Sequence, residues 1–185
     1  MKRNGLFAVI IATVFALSAL LVAHAAGGKF LGVNKCKMCH SSDKKGNQFA
    51  KWQKQLHATA FTTLTTAKAK EIGAKLGVTD PSTDPKCLKC HVTGYGQPSD
   101  PGLDPKMGVQ CESCHGAGET HMKARMAGMG TVKPDVRSVV PAGEIVPKPA
   151  AAVCQTCHNS QSPTFKSFNY DEMVKKIVHD DPRPR

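Results

Sequence analysis

Four short stretches decide the fold: CKMCH at residues 36–40, CLKCH at 87–91, CESCH at 111–115 and CQTCH at 154–158. Each repeats the order Cys-x-x-Cys-His, which is the attachment motif of a c-type haem. The two thiols bond to the vinyl groups of one haem, and the histidine that follows ligates its iron. The chain has eight cysteines, and all of them lie in these stretches. The sequence therefore predicts four covalently bound haems c.

The motifs name the attachment residues and the proximal iron ligands. The predicted attachment residues are Cys36, Cys39, Cys87, Cys90, Cys111, Cys114, Cys154 and Cys157. The predicted proximal ligands are His40, His91, His115 and His158. Zinc ribbons also use paired cysteines, and exported proteins form disulfides, but neither requires a histidine after every second cysteine. The complete repeats therefore favour haem.

The remaining histidines are candidate distal ligands. His24 lies in an N-terminal segment that we expect to be removed, which leaves His57, His121 and His179 outside the motifs. Each lies in a predicted helix, from which an imidazole can reach the far face of a haem. Three distal histidines cannot serve four irons, so one haem is five-coordinate or takes water, methionine or a ligand from a partner. The methionines of residues 122–129 have a helical spacing that favours packing.

The N-terminus predicts export. Lys2 and Arg3 precede a nearly unbroken apolar run over residues 6–23, and Ala23-His24-Ala25 resembles a signal-peptidase site. We expect residues 1–25 to be a signal peptide and residues 26–185 to form one tetrahaem domain in the periplasm or outside the cell. The alternative is an uncleaved N-terminal membrane anchor, because the apolar run is long for a signal peptide.

The charge of the chain is strongly positive. The formal net charge is +11 and falls to +9 on cleavage, since Lys2 and Arg3 leave and no acid does. Such an excess is typical of nucleic-acid-binding or membrane-surface proteins. Haem propionates supply carboxylates that the basic residues can neutralise, so we expect no nucleic-acid partner.

The predicted fold class is mainly α and irregular, with helices and loops wrapped around four stacked haems. Helix is predicted from Asn47 to about Leu76, as one helix or two with a bend, and from Glu119 to Ala127. A last helix, capped by Asn169, is predicted to run to about His179. The segments rich in glycine and proline between them predict loops or extended chain. Aromatic residues are only 5% of the chain, so side chains alone would form a poor core.

Segments around the motifs resemble the tetrahaem cytochrome c-554 family. The resemblance rests on Trp52 followed five residues later by His57, on HVTGYG at 91–96, on GVQCESCHG at 108–116 and on DEMVK at 171–175. It implies an electron carrier whose first, third and fourth haems are bis-histidine. The second haem is then high-spin, with an open face.

The resemblance also assigns the distal ligands. By position it implies three pairs, which are His179 with His40, His57 with His115, and His121 with His158. His91 then holds the second iron alone, in agreement with the ligand count. The loop at residues 162–165 is a candidate for covering the open face, and the alternative is a plain surface loop.

Several functions are compatible with this reading. The leading hypothesis is an electron carrier between redox proteins: an oxidoreductase donor, which the resemblance implies is hydroxylamine oxidoreductase, and a downstream cytochrome or membrane acceptor. A second hypothesis is an enzyme that reduces nitric oxide or another small nitrogen compound at the open haem. Self-assembly into a haem filament and a membrane-anchored quinol oxidase are further alternatives.

Overall fold

The computed structural model describes residues 28–131 and 133–185. The predicted signal peptide and its alternative, the membrane anchor, lie outside these residues. The α-helices of the described chain are α1 (Val33–His40), α2 (Gln48–Gln53), α3 (Ala60–Leu64), α4 (Ala67–Lys75), α5 (Pro85–His91), α6 (Cys111–His115), α7 (Glu119–Ala127), α8 (Ala151–Gln155) and α9 (Tyr170–Ile177). Short 3₁₀ turns lie at Asp43–Lys45, Leu56–Thr59 and Pro105–Met107. The described ranges contain no strand, only one isolated bridge between Phe30 and Ser99. The predicted fold class, helical and irregular, is confirmed.

The helix predicted from Asn47 to Leu76 is broken into short pieces. Helix α2 is followed by the 3₁₀ turn, α3 and α4. The threonine-rich segment at 62–66 causes the last break, because the hydroxyls of Thr65 and Thr66 donate to carbonyls three residues back. Thr66 Oγ1 then accepts a hydrogen bond from the Ala69 N–H and begins α4 as its N-cap.

The other two helix predictions agree better with the structure. Helix α7 has the predicted bounds. Asn169 caps α9 as predicted, and its side chain accepts a hydrogen bond from the Glu172 N–H. Helix α9 ends at Ile177, because Val178 is extended, so His179 lies in the chain beyond the helix and not on it.

Few apolar side chains are buried. Among the described residues, the buried hydrophobic ones are Leu31, Val33, Trp52, Leu64, Val78, Val92 and Ala117. This is a small core for a chain of this length.

A buried polar network joins the start of the described chain to the third motif. The Glu112 carboxylate accepts hydrogen bonds from the N–H groups of Leu31, Gly32 and Gly118 at 2.7–3.0 Å. Gln110 Oε1 accepts one from the Val33 N–H at 2.6 Å. Together these bonds hold α1, which carries the first motif, against α6, which carries the third.

No helix within the two described ranges is long and apolar enough to cross a membrane.

Candidate haem sites

The four motifs lie on short helices or at a helix end. Helices α1, α5 and α6 each end at the motif histidine, and α8 ends at Gln155, with the fourth motif completed in the turn that follows. Positions i, i+3 and i+4 of a helix share one face. Each motif therefore presents two thiols and one imidazole to the same side, as haem attachment requires.

Six of the seven predicted ligand histidines come together in pairs. The ring centres of His40 and His121 are 6.2 Å apart, those of His57 and His158 are 6.0 Å apart, and those of His115 and His179 are 5.8 Å apart. Two imidazoles that coordinate one metal ion from opposite sides, with metal–nitrogen distances of about 2 Å, bring their ring centres about 6 Å apart. Each pair joins one motif histidine to one of the three histidines outside the motifs.

These pairs differ from the three that the resemblance implied, and the assignment of ligands to irons stays a prediction. The difference arises because the backbone of a histidine can lie beside one motif while its ring points toward another. The His57 carbonyl accepts a hydrogen bond from the Val109 N–H, beside the third motif as expected, but its ring faces His158. Likewise, Asp180 lies against Gln48, close to the first motif, but the ring of His179 faces His115.

His91 differs from the other three motif histidines. Its Nδ1 is 2.7 Å from the carbonyl oxygen of Ala60. No ring contact within the described part of the chain joins it to a second imidazole. The loop after the fourth motif lies beside α5, because Lys89 Nζ donates to Gln161 Oε1 at 2.7 Å.

Second hydrogen bonds orient several of these rings. His115 Nδ1 is 2.6 Å from the Val146 carbonyl, and His179 Nδ1 is 2.8 Å from that of Ile177. A bond from Nδ1–H to an acceptor fixes the tautomer and leaves Nε2 free to ligate a metal. Phe168 stacks on the ring of His158 at 5.1 Å. The rings are thus held for ligation through Nε2.

The electrostatics of the site also favour ligation. Burial lowers the pKa values of His40, His57 and His115, so these imidazoles are neutral and keep the lone pair that a metal needs. Burial also raises the pKa values of the Cys90 and Cys114 thiols to about 11. These two thiols are therefore protonated at neutral pH.

Contacts between cysteines give the spatial order of the motifs. The thiols of Cys90 and Cys157 interact, which brings the second motif to the fourth. Cys114 interacts electrostatically with the neighbouring Cys154, which brings the third motif to the fourth. Helix α1 packs against α6, and Cys36 lies close to Cys111, which brings the first motif to the third. The second motif therefore neighbours the fourth, the fourth neighbours the third, and the third neighbours the first.

The residues present fit haem better than the alternatives. The eight cysteines are free thiols rather than disulfides, and no cluster of three or more metal-ligating side chains occurs in residues 28–131 and 133–185. The buried Nε of Arg125, one turn from His121, has no partner among the described residues. A buried, unpaired donor at this position suits a propionate carboxylate.

Two residues near His121 were not found from the sequence. The Glu144 carboxylate lies 3.0 Å from His121 Nδ1 and 2.7 Å from Arg125 Nη2. The one available signal was that Glu144 is the only acidic residue between Asp135 and Asp171. Its position in a proline-rich segment of 131–149 gave no indication of a contact with α7.

Comparison with known proteins gives the family. Residues 35–116 match the model of the family described as cytochrome c554 and c-prime. Cytochrome c-554 of Nitrosomonas europaea is 29% identical over 186 residues, with 83% of this chain and 75% of the relative covered. The solved reduced state of cytochrome c554 from the same organism superposes with a TM-score of 0.56 and 25% identity, covering 84% of this chain and 86% of that one. In both sequence and structure, the chain is similar to the cytochrome c554 family.

The similarity to the cytochrome c554 family indicates the general chemistry. The protein is a c-type cytochrome that acts in electron transfer, with covalently bound haem c and redox proteins as partners. The helical, strand-free architecture of the described residues matches the cytochrome c554 fold. The predictions of family, fold class and general function are therefore confirmed.

Proposed function

We propose that residues 26–185 form a tetrahaem electron carrier that acts outside the cytoplasm after residues 1–25 are removed. The observation that carries the proposal is the set of three histidine pairs at ring separations of 5.8–6.2 Å. The proposed axial pairs are His40 with His121, His57 with His158, and His115 with His179. When bound, haem supplies reversible one-electron chemistry at an iron whose potential its axial ligands set.

We propose that the residues around each motif keep the four sites in one row, in the order second, fourth, third, first. The contacts between Cys90 and Cys157 and between Cys36 and Cys111 support this order. A row has two ends, which suits a protein that receives electrons from one partner and gives them to another. The proposed partners are an oxidoreductase donor and a downstream cytochrome or membrane acceptor.

The distal ligands are tested one at a time. We expect His57→Ala, His121→Ala and His179→Ala each to convert one low-spin haem to high spin, because axial ligation sets the spin state. Electron paramagnetic resonance of the ferric protein counts the low-spin signals, and the parent should give three. Met122→Ala, next to His121 on α7, is the matched control and should keep three. A histidine variant that also keeps three would contradict its assignment as a ligand.

A combined variant tests the pairing itself. Replacing Cys154 and Cys157 with alanine removes the fourth haem, and with it the iron that His57 is proposed to ligate. In that background, His57→Ala should leave the remaining spectrum unchanged. If His57 served the third haem, as the family resemblance implied, the same substitution would still add a high-spin signal.

A second function is favoured by the surroundings of His91. With no second imidazole among the described ring contacts, its haem is proposed to be five-coordinate and able to bind nitric oxide. We expect nitric oxide to perturb one high-spin haem and to leave the three low-spin signals unchanged. Four low-spin signals in the monomer would refute the open site, and four low-spin signals only in a polymer would indicate a filament. Reductase activity requires turnover faster than that of free haem with a protein donor.

A further inference from the structure

Glu144 is a buried acid that the haem-attachment motifs do not explain. It lies in the segment between α7 and α8, and only 5% of its surface is exposed. Its Oε1 is 3.0 Å from Nδ1 of His121, and its Oε2 is 2.7 Å from Nη2 of Arg125. A buried carboxylate without partners is costly, so both contacts are needed to keep this one in place.

The acceptor at His121 differs in charge from those at His91, His115 and His179. The Nδ1 atoms of His91, His115 and His179 face backbone carbonyls, which are neutral. The neutral side-chain amide of Gln48 lies near the ring of His40, across the pair from His121. A carboxylate attracts the Nδ1 proton more strongly than a carbonyl does, which makes Nε2 of the same ring a stronger electron donor.

Arg125 holds the carboxylate in this position. It lies four residues after His121 on α7, so both side chains project from one face of the helix. Its guanidinium pairs with the Glu144 oxygen that His121 does not use. One oxygen therefore serves the ligand and the other is fixed by an opposite charge, which offsets the cost of burial.

We propose that Glu144 is a positioning residue that fixes the His121 ring for ligation and lowers the reduction potential of the haem held by His40 and His121. A more strongly donating axial ligand stabilises ferric over ferrous iron, and a nearby negative charge acts in the same direction. The proposal rests on the proposed function, because it requires His121 to be an axial ligand.

Glu144→Gln in the haem-loaded protein tests this inference. The amide keeps the shape of the side chain and removes the charge. We expect a spectroelectrochemical titration to show one midpoint shifted to higher potential, while the paramagnetic resonance spectrum keeps three low-spin signals and only one of them shifts. Glu119→Gln is the matched control, because Glu119 lies on the same helix and contacts Lys123 and the Lys29 N–H. A titration curve for Glu144→Gln that matches that of Glu119→Gln would overturn the proposal.

Arg125→Gln provides a second test with the opposite sign, and it decides the matter if Glu144→Gln fails to mature. Removing the guanidinium leaves the negative charge of the Glu144 carboxylate uncompensated, so the same midpoint should shift to lower potential. An unchanged or higher midpoint would overturn the proposal.

His121→Ala distinguishes a failure of the proposed ligation from a failure of the proposed role of Glu144. If it keeps three low-spin signals, the proposed ligation fails; if it removes one while Glu144→Gln moves no midpoint, only the role of Glu144 fails.

Discussion

At the scale of single residues, Glu112 occupies a position that the motif itself does not require. It is one of the two variable residues of CESCH, yet it is only 2% exposed. Its carboxylate accepts hydrogen bonds from three backbone N–H groups, those of Leu31, Gly32 and Gly118. Charge-assisted bonds of this kind are stronger than neutral ones. Glu112 therefore ties the start of the described chain to the third motif.

The first stability prediction concerns this residue. Glu112→Gln replaces one acceptor oxygen by an NH₂ group that faces N–H donors, so buried donors lose their partner. We expect the free energy of unfolding of the haem-loaded protein to fall by about 2 kcal/mol, as measured by denaturant titration. Glu71→Gln is the control, because Glu71 makes only exposed ion pairs with Lys68 and Lys75. Equal stabilities for the two variants would contradict this role.

At the scale of elements, the sequence predicted helix bounds and caps, which depend on neighbouring residues. It missed the contacts that depend on which way a side chain points. The bounds of α7 and the cap of α9 follow from helix signals within a few residues. The pairing of the histidines does not follow from such local signals. The backbone of His57 lies beside Val109 as the resemblance suggested, but the path of a short 3₁₀ turn decides which way its ring points. Glu144 was missed for a similar reason, because its partners lie on another element.

Gly108 controls that 3₁₀ turn. Its φ is +74°, and a Cβ built on it would lie 2.6 Å from the carbonyl oxygen of His57. Alanine at this position would therefore strain the backbone and push against the turn that carries His57. We expect Gly108→Ala to weaken or broaden one low-spin signal and to lower the free energy of unfolding by about 1–3 kcal/mol.

The control for this prediction is Gly130→Ala. Gly130 has no positive φ and no atom within 4 Å of its built Cβ, so the spectrum and the stability should stay close to those of the parent. If Gly108→Ala also left both unchanged, Gly108 would not determine the position of His57.

At the scale of the whole molecule, the most important feature is the small size of the hydrophobic core. The buried hydrophobic residues of the described chain number seven, while the paired histidine rings have their centres about 6 Å apart. Side-chain burial alone is too small to offset the entropy of ordering the chain. Haem is apolar over most of its surface, so its attachment adds the missing interior.

This reasoning predicts that attachment and folding occur together. We expect the intact mass of the mature protein to include four haems, which stay bound after denaturation. The same polypeptide made without haem maturation should lack most of its helical signal in far-ultraviolet circular dichroism. A haem-free chain with the helix content of the loaded protein would contradict this conclusion, and so would fewer than four haems from a host with competent maturation.

If each of the three histidine pairs held an iron, the chain would contain three overlapping closed loops. Each pair joins positions about 60 to 100 residues apart, and the three spans overlap so that none lies inside another. An iron at each pair would close a loop as a disulfide does, removing about 4 kcal/mol of chain entropy from the unfolded state. Because the loops interleave, a chain pulled from its ends would lengthen in discrete steps, each released by the rupture of one iron–imidazole bond.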